Sequence, residues 1–174
     1  MKVLAEIYRT KGLQVRGKIF HRAAVRAVIF RRNELLMVYS SSVGDYKFPG
    51  GGVNMGEPHV DALARELLEE CGATLIGIDG ELGTIIEYDN TTNTGYDLFK
   101  MTSTYYFCRV EDGFINQNLD EYEKDLGFQP VWIDIKDAIK TNKQLLSLNK
   151  PPEWLQREIF ALEYIQKSLR KTKN

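Results

Sequence analysis

Three glutamates, Glu66, Glu69 and Glu70, fall at i, i+3 and i+4 within the segment Pro58 to Cys71. At about 100° of rotation per residue, that spacing sets all three on one side of a helix. Val60, Leu63, Ala64, Leu67 and Cys71 fall on the other side, so the segment reads as amphipathic. Amphipathicity accounts for the apolar half, but not for a polar half of carboxylates with no lysine among those positions. Neighbouring carboxylates repel unless one is protonated or a cation sits among them, and an all-oxygen ligand set selects a hard ion such as Mg²⁺ or Mn²⁺. The chemistry such ions carry is polarisation of phosphoryl oxygens and activation of bound water. A solvated acidic face is the alternative reading of three glutamates taken alone, since exposed charges interact weakly.

Other elements must hold those side chains. Upstream, Tyr46-Lys47-Phe48-Pro49-Gly50-Gly51-Gly52 reads as a short strand ending in a glycine turn. There, backbone oxygens and amides can approach a metal or phosphate without an intervening Cβ. Gly56-Glu57-Pro58 opens the helix with proline at its first position, and Gly72 stops it. Earlier still, the apolar runs Ala23 to Phe30 and Leu35 to Tyr39 flank a polar Arg31-Arg32-Asn33-Glu34 and predict a hairpin. Strands are expected at Gly83 to Tyr88, Ser103 to Val110 and Gln129 to Ile133, and a short helix at Ile135 to Lys143. A longer helix over 152–172, opened by Pro151-Pro152, carries Leu155, Ile159, Leu162, Ile165 and Leu169 along one side. That stripe covers a sheet or, alternatively, meets a second copy, which leaves monomer and homodimer open. Strands alternating with helices give an α/β (α+β) class.

With 174 residues, 43% of them hydrophobic, the chain is sized for one core, and we expect a single domain over 1–174 with 1–17 as an N-terminal strand or extension. A net charge of -1 supplies no field to gather duplex nucleic acid. No stretch is long and apolar enough to span a bilayer, so no membrane partner is expected. Only two cysteines, Cys71 and Cys108, argue against a disulfide framework and for the cytoplasm.

Read outward from the glutamates, the segment runs Gly51, five residues, Glu57, seven residues, then Arg65-Glu66-Leu67-Leu68-Glu69-Glu70-Cys71-Gly72-Ala73. It resembles the Nudix box, G-x5-E-x7-R-E-U-x-E-E-x-G-U with U aliphatic, at every fixed position; Ala73 is small for the last aliphatic place. Phe48-Pro49-Gly50-Gly51-Gly52 before the box and Val131-Trp132-Ile133 followed by a helix also look like the family. The resemblance implies a Nudix-type α/β/α sandwich with a mixed, curved β-sheet from about Lys18 onward.

It also implies roles. Glu66 and Glu70 would be the principal ligands of Mg²⁺ (or Mn²⁺), with Glu69 a further ligand, direct or through water, and the Gly50 carbonyl completing the shell. Arg65 and Glu57 would brace the loop against the helix, with Gly51 and Gly72 supporting the site. The general base would be Glu69 or an acid of Asp120-Glu121-Tyr122-Glu123; Glu123 is favoured over Glu121 for its place relative to the tryptophan strand.

Substrate contacts are less legible. Arg22 and Arg26 share a strand face and could meet a phosphate, or line a plain exposed edge. Tyr46, Tyr88, Tyr105 and Phe107 could stack on a base or fill the core. Tyr88 lies near where diadenosine-polyphosphate hydrolases of the family carry a tyrosine. His21 and His59 have no ligand partner in sequence. The leading expectation is metal-dependent hydrolysis of a phosphoanhydride bond in a nucleoside di- or triphosphate or nucleoside diphosphate derivative, with ADP-ribose and dinucleoside polyphosphates among the small-molecule candidates. A Nudix-fold sensor that binds such a ligand without cleaving it is the alternative. An RNA-end hydrolase ranks last, because no basic track is apparent.

Overall fold

The computed structural model describes residues 2–172; Met1 and residues 173–174 of the expected domain lie outside the described residues. The strands are β1 (Val3–Tyr8), β2 (Ile19–Val28), β3 (Phe30–Arg31), β4 (Glu34–Ser40), β5 (Asp45–Lys47), β6 (Leu75–Asp89), β7 (Leu98–Val110) and β8 (Phe128–Asp134). The helices are α1 (His59–Cys71), α2 (Glu121–Leu126), α3 (Ile135–Leu146) and α4 (Leu155–Thr172). One mixed sheet has the order β1-β6-β7-β2, with β1 parallel to β6, β6 antiparallel to β7 and β7 parallel to β2. In the second, β4 pairs antiparallel with β3 at its start, β5 at its end and β8 along its whole length.

Two-residue alternation along the strands makes a core on each face. Val25, Ala27, Leu36 and Val38 pack with Ala62, Leu63, Leu67 and Cys71 of α1. Their neighbours Val28, Leu35 and Met37 pack with Ile135, Ala138 and Ile139 of α3 and Ala161, Leu162 and Ile165 of α4. Helices therefore cover strands on both sides, the α/β/α sandwich expected. The α4 stripe is consumed inside the chain: Leu155, Ile159, Leu162 and Ile165 are buried and only Leu169 is exposed.

Several boundaries differ from expectation. β6 begins at Leu75, well before Gly83, because three register shifts at Gly77, Gly80 and Gly83 interrupt the alternation that a strand shows in sequence. β1 joins β6 in parallel, a pairing that leaves no hairpin signature. α4 starts at Leu155, after the prolines, and Pro58 stands just before α1 as its cap. α1 is also rotated relative to the expected face: Val60 is exposed, whereas Glu66 and Glu70 are buried beside Leu63 and Leu67. No helix among the described residues is long and apolar enough to cross a membrane.

Candidate active site

The glycine turn and α1 are built against each other. Pro49 and Gly51 carbonyls accept the Ala27 and Val25 amides, which lays the turn along β2. A Cβ on Gly50, at φ +130°, would overlap the Val25 carbonyl, and one on Gly51 would overlap the Glu66 carboxylate. Only glycine permits so close an approach. Gly72, at φ 64°, caps α1 with its amide on the Leu68 carbonyl. Arg65 then ties helix to loop: Nε and Nη2 donate to Glu57 at 2.9 and 3.0 Å, Nη2 to the Gly52 carbonyl at 2.9 Å, and Nη1 to Glu66 at 2.7 Å. Hydrogen bonds from Arg65, joined by one from the Asn54 amide, hold the Glu57 carboxyl down to about 2.

Glu123 arrives from far along the chain. The segment after β7 folds back over the end of α1, with the Ile115 amide on the Gly72 carbonyl, the Asn118 amide on the Glu69 carbonyl, and the Gln117 side chain bonded to the Glu70 carbonyl. It leads into α2, whose start is a capping box: Asp120 accepts the Glu123 amide at 2.8 Å and Glu123 accepts the Asp120 amide at 2.9 Å. This short helix buries no residue. A hydrophobic pattern therefore could not reveal it, although the Asp120-x-x-Glu123 spacing could have.

Carboxylate oxygens of Glu66, Glu70 and Glu123 all lie within 4.8 Å of one another. Glu70 accepts the Gly50 amide at 2.7 Å. Burial is the largest influence on all three acids and raises each above the ordinary carboxylate range, partly offset at Glu66 by Arg65 and at Glu70 by the Gly50 amide. With Glu66 and Glu70 buried and Glu123 half-buried, this oxygen-only and incompletely compensated set fits a hard divalent cation. Glu69 stands at the cleft wall but outside the triad, half-exposed and 3.3 Å from Arg65 Nη1. The Gly50 carbonyl accepts from Arg26 Nη1.

The triad opens into a cleft of about 870 Å³. Arg22 and Arg26 both line it, Arg22 with its guanidinium against Gly52, so their strand face is an inner wall and not a free edge. Tyr88 is not brought there. Its position on β6 packs it with Ile86 and Leu98, and its ring stacks on Tyr8 at 5.2 Å. Tyr105 is fully buried against Phe48, and His59 bonds the Tyr106 hydroxyl at 2.7 Å. Sequence reasoning missed Lys47, which ends β5 beside the glycine turn, and Arg9, Trp154 and Arg157, which line the cleft from distant segments. The one signal was Glu158, an acid on the Leu155–Leu162 stripe of α4: it is fully buried and bonded to Arg157.

An α/β/α sandwich with acids from α1 and α2 gathered beneath a glycine turn defines a class of cation-binding, anion-handling clefts. Residues 20–155 match the model of the NUDIX domain, and the chain belongs to the Nudix hydrolase family. RNA pyrophosphohydrolases of Sulfurovum sp. and Helicobacter pylori are each 31% identical to it, over 107 and 101 residues. Those alignments cover 56% of this chain and 68% and 63% of the two relatives, so the chain spans about two thirds of their length. A NUDIX hydrolase structure from Nitrosomonas europaea has the same fold, with a TM-score of 0.53 at 21% identity, covering 70% of this chain and 78% of that one.

Proposed function

We propose that this Nudix hydrolase is a Mg²⁺- or Mn²⁺-dependent pyrophosphohydrolase that cleaves a phosphoanhydride bond in a nucleoside di- or triphosphate or a nucleoside diphosphate derivative, acting as a single cytoplasmic domain. The convergence of Glu66, Glu70 and Glu123 carries this reading. These three would hold the cation, with Glu69 and the Gly50 carbonyl at its margin. When bound, a divalent cation supplies a polarised phosphoryl group and a water of lowered pKa. The rest falls to the chain. Glu123 and Glu69 are the candidate acceptors for the proton of the attacking water, and Glu123 is preferred because it lies in the triad while Glu69 is drawn to Arg65. Arg22 and Arg26 orient the phosphate chain along the cleft wall. The Arg65–Glu57 pair keeps the turn in register with α1.

A second reading, a pyrophosphate bond at an RNA end as substrate, is supported by the two relatives, both RNA pyrophosphohydrolases. One panel separates these readings: nucleotides, nucleotide sugars, dinucleoside polyphosphates, ADP-ribose and a 5′-triphosphorylated oligoribonucleotide, assayed for phosphate or pyrophosphate release with Mg²⁺ and with a chelator. We expect turnover that the chelator abolishes. Full activity in the chelator would reject the metal role, and inertness toward the whole panel with retained nucleotide binding would favour a sensor.

A further inference from the structure

We propose that Lys47 is a phosphate-binding residue of this cleft, its ammonium the fixed cation that receives oxygens of the substrate's polyphosphate chain; the assignment rests on the polyphosphate reading above. Lys47 ends β5, three residues before Gly50. It is only 8% exposed, an unusual fate for lysine. Among the described residues its ammonium has no ion-pair or hydrogen-bond partner within the chain. Two aromatic rings hold it: Nζ sits 3.7 Å from the Phe128 ring centroid and 4.7 Å from that of Trp154.

The cage is itself fixed. Phe128 opens β8, with the Tyr122 ring edge-on at 6.5 Å. Trp154 donates its indole N–H to buried Asp45 at 2.5 Å. Lys47, Phe128, Trp154 and Tyr122 line the same cleft as the carboxylate triad.

Ring faces attract an ammonium but accept no strong hydrogen bond, so its three N–H donors are left to whatever fills the cleft, solvent or ligand. Burial disfavours the charge most; Asp45, Glu70 and Glu158 favour it through space from beyond ion-pairing distance, and Arg26 opposes it. Packing alone does not call for a lysine here, because a methionine would fill the same slot without the desolvation of an ion. An entering phosphate oxygen replaces water there with a charged acceptor.

Lys47→Met keeps an unbranched side chain, one atom shorter, while removing the charge; Lys47→Arg keeps the charge. Calorimetric binding of inorganic pyrophosphate and of a methylene-bridged nucleoside diphosphate to the Mg²⁺-loaded protein reads the difference. Both should bind Lys47→Met about tenfold or more weakly, the worth of a hydrogen bond to a charged group, with Lys47→Arg recovering part. Neither Mn²⁺ affinity nor the thermal midpoint should fall below the parent's. Pyrophosphate binding by Lys47→Met equal to the parent's overturns the assignment and leaves the metal reading standing; a parent that binds no pyrophosphate at all overturns both. Should Lys47→Met fail to fold, lysine acetylation of the parent, read by mass spectrometry, decides. Protection of Lys47 by pyrophosphate supports the site, and equal labelling with and without pyrophosphate rejects it.

Discussion

Two groups of acids, one lining the cleft and one whose arginine partners line it, are neutralised differently. At one, Glu87 and Glu158 are fully buried and met by guanidinium groups: Arg157 lies 2.7 Å from each, and Arg9 3.0 Å from Glu87. The Phe48 amide completes Glu158 at 2.9 Å. At the other, Glu70 and Glu123 receive one backbone amide each, and only Glu66 meets a guanidinium, that of Arg65. The residue type is the same, but in one group the chain supplies the counter-charge and in the other it largely leaves it out. The first group fastens β1, β6 and α4 beside the glycine turn. The second fits a divalent cation by its geometry and its all-oxygen ligand set.

Glu70→Gln is the sharpest way to break this comparison. The amide oxygen can still accept the Gly50 N–H, but the buried charge is gone. We expect the catalytic efficiency of the Mg²⁺-loaded enzyme to fall about 10³-fold, or ~4 kcal/mol of transition-state stabilisation. The metal-free variant should melt above the metal-free parent, since an acid whose proton affinity burial raises in the folded state destabilises that state at neutral pH. Parent-like activity, or a lower melting temperature, would show that the chain already neutralises Glu70. Arg157→Met tests the other group. It strands carboxylate oxygens of Glu87 and Glu158 in the interior, and urea unfolding should show a loss of ~3 kcal/mol or more. An unchanged midpoint would mean that the arginine there is replaceable.

The same contrast explains what the sequence reveals. Glu57, Arg65, Glu66, Glu70 and Gly72 are legible as one cluster because they lie within a single turn-and-helix unit, where spacing alone fixes geometry, while Glu69 of the same unit is left outside the triad. The sandwich is legible from strand alternation and the α4 stripe. Glu123 is half-legible: the triad takes it from a helix without a buried face, placed by backbone contacts of residues 115–118 that no side-chain pattern records. Tyr88 was drawn toward the substrate by its distance from the box, yet the β6–β7 register directs it to a separate apolar cluster. Lys47, Arg9, Trp154 and Arg157 come together only through tertiary packing, so nothing local marks them.

The Arg65–Glu57 brace gives the smallest expected effect and the cleanest sign. Its charges are paired within the chain, like those of Glu87 and Glu158, but near the surface, so water weakens the attraction. Arg65 holds the folded-state carboxyl at about 2, below the ordinary glutamate value of about 4.3. A depressed folded-state value contributes stability that is present in full above the unfolded value and is lost as pH falls through the folded one. Glu57→Gln retains an acceptor for Arg65 and the Asn54 amide but no charge. The parent should therefore be slightly more stable than Glu57→Gln at about pH 6, and the two should converge as pH falls from about 4 toward about 2. Chemical denaturation across that range measures the gap. A gap that stays constant would show that the brace works by shape alone, and the contrast between acids neutralised by the chain and acids left for a cation would then rest on the buried groups only.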